Sequence, residues 1–158
     1  MAMAKDAQTP GARYQALLQV LRTADTLWNS SRVFFARWDL SPSQFNVLNL
    51  LRGEPAGLSQ IELGRQLITH RSNVTGLVDR LSARGLVERR DVAGDRRAYR
   101  ILLTPKAEQL VHEILPEYYR VAEAVWAGFP TSRARLLATD LERLSANAQQ
   151  VLGEWGPK

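Results

Sequence analysis

Nine arginines lie between Arg65 and Arg100: Arg65, Arg71, Arg80, Arg84, Arg89, Arg90, Arg96, Arg97 and Arg100. Only Asp79, Glu88, Asp91 and Asp95 stand against them, so this stretch has a surplus equal to the +5 of the whole 158-residue chain. A guanidinium presents a flat fork of donors that matches a phosphate or a guanine edge, which the point charge of lysine does not. The overall preference for arginine over lysine is better explained by codon bias, but its clustering marks a polyanion as partner. Two subsets of this stretch carry the chemistry. Arg71, Ser72, Thr75 and Gly76, flanked by Asn73 and Arg80, share one helical face, where short polar and arginine side chains reach base edges and phosphates. Asp95-Arg96-Arg97 falls at a turn. An arginine there can enter a narrow minor groove, while Asp95, repelled by phosphate, holds the arginines in position.

Other chemistries find no foothold. The chain has no cysteine, which removes disulfides, thiolate metal sites and thiol redox sensing. Its two histidines are His70 and His112. His112-Glu113 lacks the second histidine of a zinc-protease helix, because Pro116 occupies that place. There is no nucleophile elbow, dinucleotide fingerprint or phosphate loop. The expectation is a protein that is not an enzyme and has no metal and no cofactor.

The elements that must position the arginines can be read from caps and periodicity. Residues 1–10 read as a disordered lead-in. Apolar residues from Tyr14 to Trp38 recur at helical steps and predict one long helix, with a stripe wide enough for burial on two sides. Ser41-Pro42-Ser43-Gln44 and Ser59-Gln60-Ile61-Glu62 are capping boxes that start two further helices. The first buries Phe45, Val47, Leu48 and Leu51. The second turns Leu63 and Leu67 inward, with Ile61 and Ile68 beside them. Thr69 caps a helix that buries Val74, Leu77, Val78 and Leu81 and stops at Gly85. Strands are expected over 86–91 and 98–103 around the turn Val92-Ala93-Gly94-Asp95. Thr104-Pro105 starts another helix, with a kink expected at Pro116. Gly128-Phe129-Pro130-Thr131 breaks the chain before a last helix.

The resulting fold class is mainly α with a small β-hairpin: a winged helix-turn-helix flanked by N- and C-terminal dimerisation helices. The expected organisation is an N-terminal dimerisation helix over 11–38, a winged helix-turn-helix DNA-binding domain over 41–104 and C-terminal dimerisation helices over 105–158. The terminal helices have apolar faces too large for so small a core, so a homodimer reading a palindrome is expected. No apolar run approaches a membrane span, and the opening residues lack an apolar signal core, so the expected location is cytoplasmic, away from membranes.

The motifs of this stretch resemble those of the MarR family, regulators named for multiple antibiotic resistance. The matching residues are Leu-Ser-Gln-Ile-Glu-Leu at 58–63, Ser-Asn-Val-Thr at 72–75, Leu-Val-Asp-Arg-Leu at 77–81 and Arg-Gly-Leu-Val-Glu-Arg at 84–89. The family's wing signature fits Asp95, Arg97, Leu103 and Thr104. The resemblance implies a dimeric repressor of transcription on double-stranded DNA. It implies a recognition helix over 70–84, a wing arginine at Arg97 and an orienting aspartate at Asp95. It also implies a small aromatic or phenolic anionic effector, for which Trp28, Arg32, Trp38, Phe45 and Tyr118 lie on suitable elements, although each taken singly reads first as core. Gly76 departs from the larger polar residue often found there, and Ala107 from a glycine. The alternative function is a winged-helix protein-interaction module without DNA binding.

Overall fold

Ser41 and Ser59 open two helices by the same device. The Ser41 hydroxyl accepts from the Gln44 amide at 3.2 Å, and the Ser41 amide donates to Gln44 Oε1 at 2.8 Å. Ser59 and Glu62 repeat this at 3.2 and 2.7 Å. Each box satisfies two amides that a helix start otherwise leaves unpaired. The computed structural model describes residues 11–68, 74–92 and 95–155; within these, the side chains at 92, 95–98, 152, 154 and 155 are not described. The helices are α1 (Ala12–Phe35), α2 (Pro42–Arg52), α3 (Gln60–Gln66), α4 (Val74–Ala83), α5 (Pro105–Val125) and α6 (Thr131–Trp155), with strands β1 (Val87–Val92) and β2 (Asp95–Leu103). The expected cap at Thr69 and helix start over 70–73 lie outside the described residues.

The long first helix ends earlier than its apolar spacing predicts. α1 stops at Phe35, a single 3-10 turn covers Ala36–Trp38, and Asp39 takes a left-handed conformation (φ 52°). Periodicity sees Trp38 as a continuation because a 3-10 turn keeps nearly the same side-chain spacing. The strands are longer than expected. Val92 and Asp95, assigned to the turn, pair with one another. From Val87↔Leu103 to Asp91↔Tyr99 the antiparallel register is regular; it shifts between Asp91 and Val92. Leu58 adds a short third rung, exchanging backbone bonds with Ile101 at 3.0 and 2.8 Å. Pro116 lies inside α5 without ending it.

The chain divides into two compact units, Met1–Val111 and His112–Lys158. In the first, Phe35 stacks on Phe45 with ring centroids 4.3 Å apart. Around them Val47, Leu48, Leu51, Leu63, Val74, Leu77, Val78, Leu81, Leu86 and Ile101 are buried. The inward faces expected of α2 and α4 are therefore those observed. Ile61 and Ile68 are not: they are 69% and 76% exposed. α3 has seven residues, too short for spacing alone to fix the edge of its buried face. In the second unit the chain turns between α5 and α6 through Gly128 (φ 85°), with Trp126 and Phe129 packed edge to face.

Candidate nucleic-acid interface

α4 exposes one face because its other face is core. Val74, Leu77, Val78 and Leu81 are buried, which turns Thr75, Asp79 and Arg80 to the surface, with Gly76 half-buried between them. Hydrogen bonds at both ends fix the helix. At its start the Thr75 hydroxyl donates to Gln60 Oε1 of α3 at 3.2 Å. At its end the Arg84 guanidinium donates to the carbonyls of Trp38 (3.2 Å) and Asp39, with the Asp39 carboxylate 3.7 Å away. The Arg84 carbonyl accepts from Lys106 Nζ at 2.8 Å, and Gly85 O from the Thr104 hydroxyl at 2.7 Å. The last turn of α4 is thus tied to the α1–α2 corner and to the start of α5.

The hairpin is joined to α4 as well. Arg89 on β1 pairs with Asp79 on α4, and its guanidinium lies 5.2 Å from the centre of the Tyr99 ring on β2. Arg100 donates to the carbonyls of Ala56 and Gly57 at 3.0 and 3.1 Å and lies 3.5 Å from Glu62. Glu62 has its pKa lowered. The cause is first the Ser59 amide, then the Ser59 hydroxyl, with smaller contributions from Arg100 and Arg65 that act against slight desolvation. Arg90 pairs with Glu88 at 2.7 Å.

These contacts sort the arginine cluster. Arg84, Arg89, Arg90 and Arg100 are each paired with an acid of the fold. Sequence reading missed three of these pairings, because Asp39, Asp79 and Glu62 lie too far along the chain from their arginines for any local period to join them. Of the residues singled out for nucleic-acid contact, Thr75, Gly76 and Arg80 share the exposed side of α4. Arg71, Ser72 and Asn73 lie outside the described residues. Asp95, Arg96 and Arg97 open β2, and their side chains are not described.

The residues singled out for an effector are more scattered. Arg32 lines an open cavity of about 300 Å³ at the α1–α2 corner, with Ala36, Asp39, Leu40, Ser41, Pro42 and Gln44. Trp28 and Trp38 are half-buried, and the Trp38 ring carries the Arg37 guanidinium 4.7 Å from its centre. Phe45 is 4% exposed and belongs to the core. Tyr118, half-buried, is part of the second unit.

A helix pair α3–α4 followed by a two-stranded hairpin, with the hairpin base clasped to the second helix, is a winged helix-turn-helix. A sequence model of the MarR family matches residues 38–98, the stretch that holds this motif. Over that stretch the chain is similar to the MarR family. It is 28% identical to the transcriptional repressor MprA of Escherichia coli (strain K12) over 105 residues, 66% of this chain and 60% of MprA. It is 31% identical to the regulator PecS of Dickeya dadantii (strain 3937) over 86 residues, 53% of this chain and 52% of PecS. The aligned part thus spans between half and three-fifths of each relative. Among solved structures, a MarR protein from Peptoclostridium difficile superposes with a TM-score of 0.77 at 19% identity, covering 98% of this chain and 97% of that one. BpsR of Bordetella bronchiseptica, whose DNA binding is described as regulated by 6-hydroxynicotinic acid, superposes with a TM-score of 0.75 at 23% identity, covering 87% of this chain and 98% of BpsR.

Proposed function

We propose that this protein is a sequence-specific DNA-binding regulator of transcription, acting as a homodimeric repressor on a palindromic operator and released by a small aromatic anion. The observation that carries the reading is the clasp between α4 and the hairpin. Arg89, Asp79 and Tyr99 make helix and wing one body, so a helix seated in a major groove brings the hairpin tip toward the neighbouring minor groove. On this reading Arg71, Ser72, Asn73, Thr75, Gly76 and Arg80 meet base edges and phosphates, and Arg96 and Arg97, steadied by Asp95, serve the minor groove.

Dimerisation is supported by apolar surface that is exposed among the described residues. On α1, Tyr14, Leu17, Leu21, Leu27 and Val33 are 44–76% exposed, and α6 exposes Leu136, Leu137, Leu144 and Val151. Stripes of this kind on terminal helices are satisfied by a second copy across a two-fold axis. The ligand response is supported by the Arg32 cavity, which offers a cation and an apolar wall to a carboxylate-bearing ring, and by the nicotinic acid derivative named for BpsR. MprA and PecS, the relatives named above, are both regulators of transcription. Selection of bound duplexes from a random DNA library tests the reading. An inverted repeat with half-sites about one helical turn apart is expected. Weak, salt-sensitive binding without enrichment would favour a protein-interaction module instead.

A further inference from the structure

The Thr75 hydroxyl on the exposed face of α4 is already committed. It donates to Gln60 Oε1 at 3.2 Å. A hydroxyl has one proton and two lone pairs, so with its proton turned to Gln60, Thr75 presents an acceptor outward. The Gln60 side chain is not free in solvent: its Nε2 is buried and has no hydrogen-bond partner among the described residues. Asp79, the next acceptor along the same face, is engaged by Arg89. In the major groove, the groups that need an acceptor are the exocyclic amines, N6 of adenine and N4 of cytosine; guanine O6 and N7 and thymine O4 need donors.

We propose that Gln60 is a specificity-determining positioning residue: by taking the Thr75 proton it makes Thr75 read the exocyclic amine of adenine or cytosine. This rests on the DNA-binding reading above. It adds the chemical group recognised and the residue on α3 that sets the choice. The reverse arrangement, with the Gln60 amide turned so that it donates to Thr75, would point the hydroxyl proton outward and make Thr75 read a carbonyl or a ring nitrogen instead.

The test starts from the operator that the selection yields. Comparison of the wild type with Thr75→Val identifies the base pair whose preference depends on Thr75. At that pair, base analogues remove one group at a time: purine for adenine or 2-pyrimidinone for cytosine deletes the amine, and a 7-deazapurine deletes the ring acceptor. Loss of the amine should weaken wild-type binding about fivefold, the worth of one ordinary hydrogen bond, and should leave Thr75→Val unaffected. Gln60→Glu, which can only accept, should keep this sensitivity while lowering affinity evenly through its charge. Gln60→Leu should abolish it. Thermal midpoints recorded alongside show that each variant folds; should Gln60→Leu fail to fold, Thr75→Val and Gln60→Glu still decide. Sensitivity to loss of an acceptor instead of the amine, or a Gln60→Leu variant with unchanged sensitivity, overturns the proposal. So does a Thr75→Val variant that alters no position of an otherwise enriched motif. If the wild type enriches no sequence, the DNA-binding reading itself falls, and the inference falls with it.

Discussion

At the scale of single residues, the arginines divide by what they already hold. Arg97 lies at the hairpin tip, and the proposed function gives it a minor-groove contact. Arg97→Ala should therefore weaken operator binding at moderate salt while leaving the melting temperature unchanged; equal affinity in a binding titration would remove the wing from the interface. Glu62 has a different duty. Its folded pKa lies below the ordinary glutamate value, because the Ser59 amide and hydroxyl favour its charged form. A depressed folded pKa stabilises the fold above the unfolded value and loses that contribution as pH falls through the folded one. Glu62→Gln keeps the capping geometry without the charge. Its stability deficit against the wild type should therefore be full at neutral pH and vanish below the lowered pKa, as read by thermal denaturation. The Glu62 side chain is half-exposed, so solvent screens the charge and the deficit is small. The capping role of Glu62 was legible from its spacing to Ser59; its proximity to Arg100 was not, since 38 residues separate them.

At the scale of elements, two left-handed glycines separate backbone preference from packing. Gly85 (φ 66°) closes α4 with open space around it, and Gly57 (φ 72°) precedes the Leu58–Ile101 bridge. A side chain at Gly85 meets only the conformational cost of about 1–2 kcal/mol. At Gly57 a Cβ would lie 2.6 Å from the Ile101 carbonyl, a backbone atom that cannot turn away without breaking the bridge. Gly57→Ala should thus destabilise clearly more than Gly85→Ala in chemical denaturation; equal losses would mean that the loop before Leu58 yields freely. Gly85 was readable in advance, because a glycine after a periodic run followed by an apolar residue is a helix stop. The demand on Gly57 comes from a strand more than 40 residues away and leaves no local trace. The same holds for the end of α1. Apolar spacing carried the helix through Trp38, and the 3-10 turn with left-handed Asp39 is fixed by Arg84, which takes the carbonyls of Trp38 and Asp39.

At the scale of the whole molecule, the ion pairs within the fold bear on the interaction with a polyanion. Four of the nine arginines between residues 65 and 100 are held by Asp39, Asp79, Glu88 and Glu62. A dimer that used all nine on each protomer would lose affinity with a log–log salt slope of about −16, whereas five on each gives about −9. A slope of about −9 or shallower is expected in titrations between low and physiological salt, and a slope near −16 would mean that the internal pairs open on DNA. The order of helices and hairpin could be read from caps and glycine stops, because those signals are local. The division of labour among the arginines could not, since it depends on tertiary neighbours that bring distant acids alongside.

The sequestered arginines also bear on kinetics. Sequence-independent attraction sets how long a DNA-binding protein lingers at random sites and how it slides or hops between them. A protomer that keeps Arg84, Arg89, Arg90 and Arg100 on its own acids lets go of random duplex sooner. It spends less of each search parked on the wrong sequence. On the DNA-binding reading, the pairs that hold these arginines on the fold's own acids thereby also shorten the stay on the wrong sequence.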